Sequence, residues 1–245
     1  MVSQALERPR LPAERVFFLS MIAAIGAAVL VGFSRSFFLR PLFPGAHAPP
    51  EPYFYVHGAV FVAWVALLAT QAGLIATNNT AVHRRLGLAG FVMVPLMTLI
   101  AGFGALVAAR RPGGFIDIAA PPLEFLVVPL ANLLVFAVMA GLALAWRRDP
   151  QTHKRLMLIG MIALTEAAVA RWPIAAIAAS PAVGFWTTCA FLIPLAGWDV
   201  ATRKALHPAT LFGGLAMIAQ GPVRDLVAKT DAWLAFAKWA TELLG

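Results

Sequence analysis

Several uninterrupted apolar runs, each roughly eighteen residues or longer, divide this chain, and nothing constrains its folding more. In hydrocarbon every backbone N–H and C=O must find its partner within the protein, which leaves helices or closed barrels. The runs are too long and too continuous for barrel strands, so the expected class is an all-α polytopic membrane helix bundle. Composition agrees. Of 245 residues, 61% are hydrophobic and 12% charged, and a soluble domain carries about twice that charged share.

Loops place the spans. Residues 1–15, with Arg8, Arg10 and Arg15, read as a short cytoplasmic tail, and residues 16–228 as the transmembrane bundle. Seven transmembrane helices are expected, at about 16–33, 54–76, 86–109, 123–146, 153–179, 182–198 and 208–221. Pro41, Pro44, Pro49, Pro50 and Pro52 keep the first connection from being helical throughout. Pro95 is expected to bend the third helix and Trp172-Pro173 to kink the fifth, with Thr152 as the cap of the fifth. The seventh is short unless it continues past Pro222 to about Ala228. Residues 229–245 read as a C-terminal amphipathic interfacial helix, with Trp233, Phe236, Trp239 and Leu243 apolar and Lys238, Thr241 and Glu242 polar. The N-terminal polar stretch and the long run after it predict a retained first helix rather than a cleaved signal peptide.

The net charge of +8 does not point to nucleic acid, because the cations lie in short loops between apolar runs. With the N-terminus inside, the inner segments hold 11 Arg and Lys residues and the outer segments 7. The positive-inside rule then predicts a cytoplasmic (inner) bacterial membrane location, N-terminus inside and C-terminus outside. The lipid bilayer is the expected partner, and a larger membrane complex is compatible with everything above. A single Cys189, inside an apolar run, rules out a disulfide framework or a cysteine-based metal site within one chain.

A recurring motif gives the first site candidates. His83-Arg84-Arg85-Leu86 and His153-Lys154-Arg155-Leu156 each start an apolar helix, and His207-Pro208 starts another. A glycine follows each histidine seven residues on, at Gly90, Gly160 and Gly214, two turns along the same face. His83, His153 and His207 should lie at one depth, with Asp199 at the end of the sixth helix beside them. Three imidazoles and a carboxylate suit a transition metal, two of the histidines suit haem, and the neighbouring cations suit an anionic group. Each glycine leaves room for a flat ring or for a close helix contact. The bland alternative is that histidines and cations simply balance helix ends at the interface.

A second group lies deeper. Glu166 falls about 17 Å into the fifth helix, near the midplane, where a carboxylate is costly and marks a candidate site. Glu166 with His57, Arg171 and Gln220 outlines a route for a proton or small solute, and Asn132 and Arg224 share that half. Glu166 and Arg171 are about 140° apart around one helix and do not face each other, so Arg171 is expected to snorkel outward. A haem pair across the bilayer would need histidines at both levels, and the second level offers only His57 and His47. No nucleophile–base pairing or phosphate loop is visible, so the sequence names no enzyme.

Five stretches taken together resemble a widespread, uncharacterised family of bacterial multi-helix integral membrane proteins: Phe38-Leu39-Arg40-Pro41, His57-Gly58-Ala59-x-Phe61, the His83 and His153 motifs, and His207-Pro208-Ala209-Thr210-Leu211. That resemblance covers nearly the whole chain and implies the span count but no activity. The segment His153 to Leu158 is also similar to a motif in the YozB-like group of small membrane proteins linked to terminal-oxidase maturation, which implies an assembly or haem-handling role.

Overall fold

The computed structural model describes residues 12–46 and 51–244. Most of the expected N-terminal tail, and His47, lie outside the described residues. Among the described residues there are helices and turns but no strands.

The helices, in order, are α1 (Pro12–Phe33), α2 (Tyr53–Ala76), α3 (Thr80–Leu86), α4 (Gly90–Arg110), α5 (Pro122–Phe125), α6 (Val127–Ala145), α7 (Pro150–Val169), α8 (Ala175–Ala179), α9 (Pro181–Cys189), α10 (Leu192–Arg203), α11 (Pro208–Val227) and α12 (Asp231–Glu242). Five helical stretches are long and apolar enough to cross a membrane: Ala13–Phe38, Tyr53–Ala76, Thr80–Arg110, Pro122–Ala145 and Pro181–Arg203. This is the make-up of a membrane protein. The third begins earlier than expected, because α3 runs into α4 through one tight turn at Gly87–Ala89. Pro95 is carried inside α4.

The other two long helices, α7 and α11, have 20 residues each and carry charges within them, Lys154, Arg155 and Glu166 in α7 and Arg224 and Asp225 in α11. For α7, its position explains why. α7 is the hub of the bundle, packed against α1, α6, α9 and α11. A helix enclosed by protein need not be apolar all round, provided its polar groups are paired. Leu158, Ile159, Ile162 and Ala163 of α7 are buried in the main core with Phe136, Met139 and Ala140 of α6. Two glycines permit this closeness. A β-carbon on Gly32 of α1 would sit 2.2 Å from the Ala168 carbonyl oxygen, and one on Gly160 would meet Met139 Cβ at 3.3 Å. Gly160 is therefore a helix-contact residue rather than room for a ring.

Local details depart from expectation for identifiable reasons. The cap of α7 is Asp149, not Thr152: the Asp149 carboxylate accepts from the backbone N–H of Gln151 and Thr152 and from the Thr152 hydroxyl. Thr152 thus sits in the first turn and serves the cap. Thr152 and Asp149 are both cap formers, and the proline at 150 selects the residue before it. α7 stops at Val169, and the chain turns at Trp172-Pro173 into the short α8 instead of continuing kinked to Ala179. α11 carries Pro222 inside it and runs unbroken to Val227.

α12 has one face of small residues, and that face meets the protein. Ala237, Ala240 and Thr241 are buried, Ala237 packs with Ala105, Ala109 and Leu126, and Trp233 Nε1 donates to the Leu123 carbonyl at 2.9 Å. Phe236, Trp239 and Leu243 point outward.

Candidate functional site: a cavity beside two locked charge networks

α7 presents two different faces, each set by its 3.6-residue period. Arg155, Ile159, Ile162 and Glu166 lie on one. His153, Met157 and Met161, with Lys154 and Leu158, lie on the other.

The first face is held by ion pairs at both ends. Arg155 is 1% and Asp199 0% exposed. Arg155 Nε donates to Asp199 Oδ1 at 3.0 Å, and its Nη2 donates to the same carboxylate. Nη1 donates to the Gln151 side-chain oxygen at 2.6 Å. The other Asp199 oxygen accepts from the His207 backbone N–H at 3.0 Å and the Thr210 hydroxyl at 2.6 Å. His207 is the cap of α11, its Nδ1 accepting the Ala209 N–H at 3.1 Å. Burial, with Arg155 and Arg203 nearby, lowers the His207 pKa below its ordinary value of 6.5.

About three turns along, Glu166 makes a bidentate pair with Arg224 of α11. Arg224 Nη2 donates to Glu166 Oε1 at 2.6 Å and Nη1 to Oε2 at 2.9 Å. Asn132 Nδ2 donates to the same Oε2 at 3.0 Å, and Gln220 Nε2 donates to Asn132 Oδ1 at 2.8 Å. The Arg224 guanidinium also lies over the Phe185 ring, 4.7 Å from its centroid. Desolvating two charges is costly and is offset by close pairing; both carboxylate oxygens here are engaged, while Arg224 Nε and Gln220 Oε1 are buried without a hydrogen-bond partner.

The second face of α7 borders a cavity of about 200 Å³ between α1, α2, α7 and the α3–α4 turn. Its wall is apolar along most of its depth, with Ile22, Ile25, Leu68 and Met161. His83, His153, Arg15, Lys154 and Glu14 stand near the helix ends, and Trp64 and Gln71 lie on the α2 side. The His83 and His153 rings are edge to face, 6.4 Å between centroids. His153 Nδ1 is 2.8 Å from the Ala143 carbonyl oxygen, so Nδ1 carries the proton and Nε2 is left as an acceptor. Lys154 pairs with Glu14, which also accepts from Gln151 Nε2 at 3.1 Å. Three buried polar atoms on this wall, Trp64 Nε1, Gln71 Oε1 and Arg15 Nε, have no hydrogen-bond partner in the protein. Trp64 is 1% exposed, so its N–H has no water to turn to from the surface.

The sequence candidates are thus sorted into separate places. His83 and His153 come together. His207 and Asp199 belong to the Arg155 network, and the four-ligand metal cluster is not formed: among the described residues no three His, Cys, Asp or Glu side chains are grouped to hold a metal ion. The physical reason is that Asp199 already satisfies Arg155, and His207 has spent Nδ1 on its own helix. Glu166 and Gln220 join through Asn132. His57 does not join them; it stacks on Phe61, 4.4 Å between centroids. Arg171 bonds the Ala167 carbonyl and lies over Phe33, 5.1 Å from its centroid, as a snorkelling arginine would. Elsewhere Arg111 forms a two-bond pair with Glu51, both at 2.8 Å, which holds the Glu51 carboxyl below the usual carboxylate range.

Trp64 and Gln71 were not among the candidates, and Arg15, expected in the tail, lies in the first turn of α1. A signal was present: Trp64, Leu67, Leu68, Gln71, Ala72 and Ile75 follow i, i+3, i+4, i+7, i+8, i+11, one stripe of α2, with a polar atom at two points of an apolar face.

No protein-family model, curated protein or solved structure matches this chain.

Proposed function

We propose that the protein is an integral membrane binding or accessory protein of the bacterial inner membrane, in which α7 and α11 cross the bilayer with the five apolar spans. In this reading the N-terminus is cytoplasmic, following the cation bias of the loops. α12 lies in the outer interface with Phe236, Trp239 and Leu243 in lipid. The site is the cavity at the cytoplasmic end, with His83 and His153 at its mouth, and it holds a small molecule.

One observation carries this reading: a mainly apolar cavity of about 200 Å³ with His83, His153, Lys154 and Glu14 near one end. A transport route through Glu166 has less support, because Arg224 and Asn132 occupy both of its oxygens.

Native mass spectrometry of protein extracted gently from membranes tests the reading. A single bound small molecule is expected, and it should be lost when Ala72 on the cavity wall is replaced by Phe. Mass spectra showing only protein and loosely held bulk lipid, identical in Ala72→Phe, would overturn it.

A further inference from the structure

The cations at the α3–α4 and α6–α7 end of the bundle divide by whether protein neutralises them. Lys154 pairs with Glu14 and Arg155 with Asp199. Arg84, Arg85, Arg147 and Arg148 are all exposed, and among the described residues none of the four enters an ion pair. Arg84 and Arg147 come from different elements and border one strip of surface.

The backbone sets that strip. Leu86, Gly87, Ala89 and Gly90 keep right-handed helical angles where α3 passes into α4. Arg84, Leu88 and Phe91, at i, i+4 and i+7, therefore follow one stripe. Leu88 and Phe91 are exposed, and Val92 and Leu99 continue the exposed apolar surface along α4. Arg147, just past the end of α6, reaches across to this stripe. Its guanidinium lies over the Phe91 ring, 5.1 Å from the centroid, and its Nη1 donates to the Leu144 carbonyl at 3.3 Å. An aromatic face holds a guanidinium in place without using its N–H groups, and the protein engages one of the five. Trp146, exposed next to it in the chain, is a residue type that collects at headgroup level.

Cations at the end of an apolar strip select a partner that needs both. A soluble anion gains nothing from Leu88, Val92 and Leu99, and a neutral apolar chain gains nothing from the arginines. A phospholipid uses both, since guanidinium groups bind phosphate through paired hydrogen bonds. A headgroup without an ammonium leaves a net negative charge to match theirs. We infer that Arg84 and Arg147 form a site for an anionic phospholipid of the surrounding leaflet, its phosphate against the two guanidiniums and one acyl chain along Leu88, Val92 and Leu99. Neither arginine lines the cavity, so this site and the cavity ligand stand or fall separately.

The experiment uses the full chain, stripped of lipid in detergent and offered phosphatidylglycerol and phosphatidylcholine in equal amounts. Native mass spectrometry should find phosphatidylglycerol as the first bound lipid by more than tenfold, and Ala72→Phe should not change this. Arg84→Gln and Arg147→Gln should each lower the preference about fivefold, the worth of one cation at a membrane surface. The double variant should bring it near parity. Arg203→Gln with Lys204→Gln removes two equally exposed cations beyond α10 and should leave the preference within about twofold. Melting is compared with the parent first; if Arg147→Gln does not fold, Phe91→Ala, which removes the ring under Arg147, should also weaken the preference. A parent without preference would overturn the inference. So would an equal loss in the Arg203 and Lys204 variant, which would mean diffuse charge, or displacement of the lipid by millimolar inorganic phosphate, which would mean a site for soluble anions.

Discussion

The two faces of α7 do opposite things with the same kinds of residue. On the face toward α10 and α11, Arg155 and Glu166 are buried charges with every carboxylate oxygen of their partners or their own engaged. On the face toward α1 and α2, His153 and Lys154 border a mainly apolar cavity, with Glu14 paired to Lys154 and Arg15 Nη1 donating to the Ala76 carbonyl. A paired network fixes how helices sit, and here it also keeps two buried polar atoms, Arg224 Nε and Gln220 Oε1, without a hydrogen-bond partner. The charged residues that attract attention in the sequence, Arg155, Glu166 and Asp199, are the locks.

The contrast is sharpest in stability. Asp199→Ala would strand Arg155, the Thr210 hydroxyl and the His207 N–H together, and breaking a buried pair costs about 3–5 kcal/mol. This variant should show the largest loss, measured by unfolding in mixed detergent micelles. Glu166→Ala should follow at about 3–5 kcal/mol with fewer dependents. The double variant Glu166→Leu with Arg224→Met should recover most of that loss, since a well-packed apolar pair replaces a buried ion pair at little cost. A double variant no better than Glu166→Ala would mean that the network does more than lock the helices.

Smaller effects test the boundary between the faces. Asp149→Ala removes the cap of α7 and should cost about 1 kcal/mol. Gln71→Leu, on the cavity side, deletes a buried acceptor that has no hydrogen-bond partner, so stability should be unchanged or higher by up to about 1–3 kcal/mol. A loss as large as that of Asp199→Ala would show Gln71 to be structural and erase the contrast.

The smallest expected effect is a pH slope at His207. Its pKa is lowered on folding by burial, so near pH 6.5 the unfolded chain takes up a proton that the folded one refuses. Stability contributed by this group is therefore present above pH 6.5 and falls as the pH drops toward the folded pKa. His207→Asn keeps a cap acceptor and should flatten that part of the profile, as followed by melting from pH 7.5 to 5. An unchanged profile would place the slope elsewhere.

How much of this could be read in advance follows from what each signal depends on. The long apolar runs report their own environment, so α1, α2, α4 and α6 were legible nearly to their ends. The run in α9 and α10 hid a break at Ala190-Phe191, because both residues of the turn are apolar and keep helical backbone angles, so composition does not mark it. Glu166 was legible as a costly intramembrane carboxylate, and Arg224 and Asn132 were in the right half. Its partner was not, since Arg171 is nearer in sequence but points away by the geometry of one helix. The equivalence of the three histidines misled for a related reason. Only His207 caps a helix start; His153 sits in the first turn of α7 and His83 in the last turn of α3, and α11 holds its histidine beside Asp199, where Arg155 is already joined.

The sequence by itself determined that the chain is helical, that it is built for a bilayer, and where its polar turns fall, because those properties depend on local composition and hydrocarbon tolerates no unpaired backbone. Only the tertiary structure decided which polar residues are locks and which line a cavity. That depends on what stands across from each side chain, and the answer comes from helices tens of residues away: Asp199 for Arg155, Arg224 for Glu166, and for Trp64 Nε1 no protein group at all.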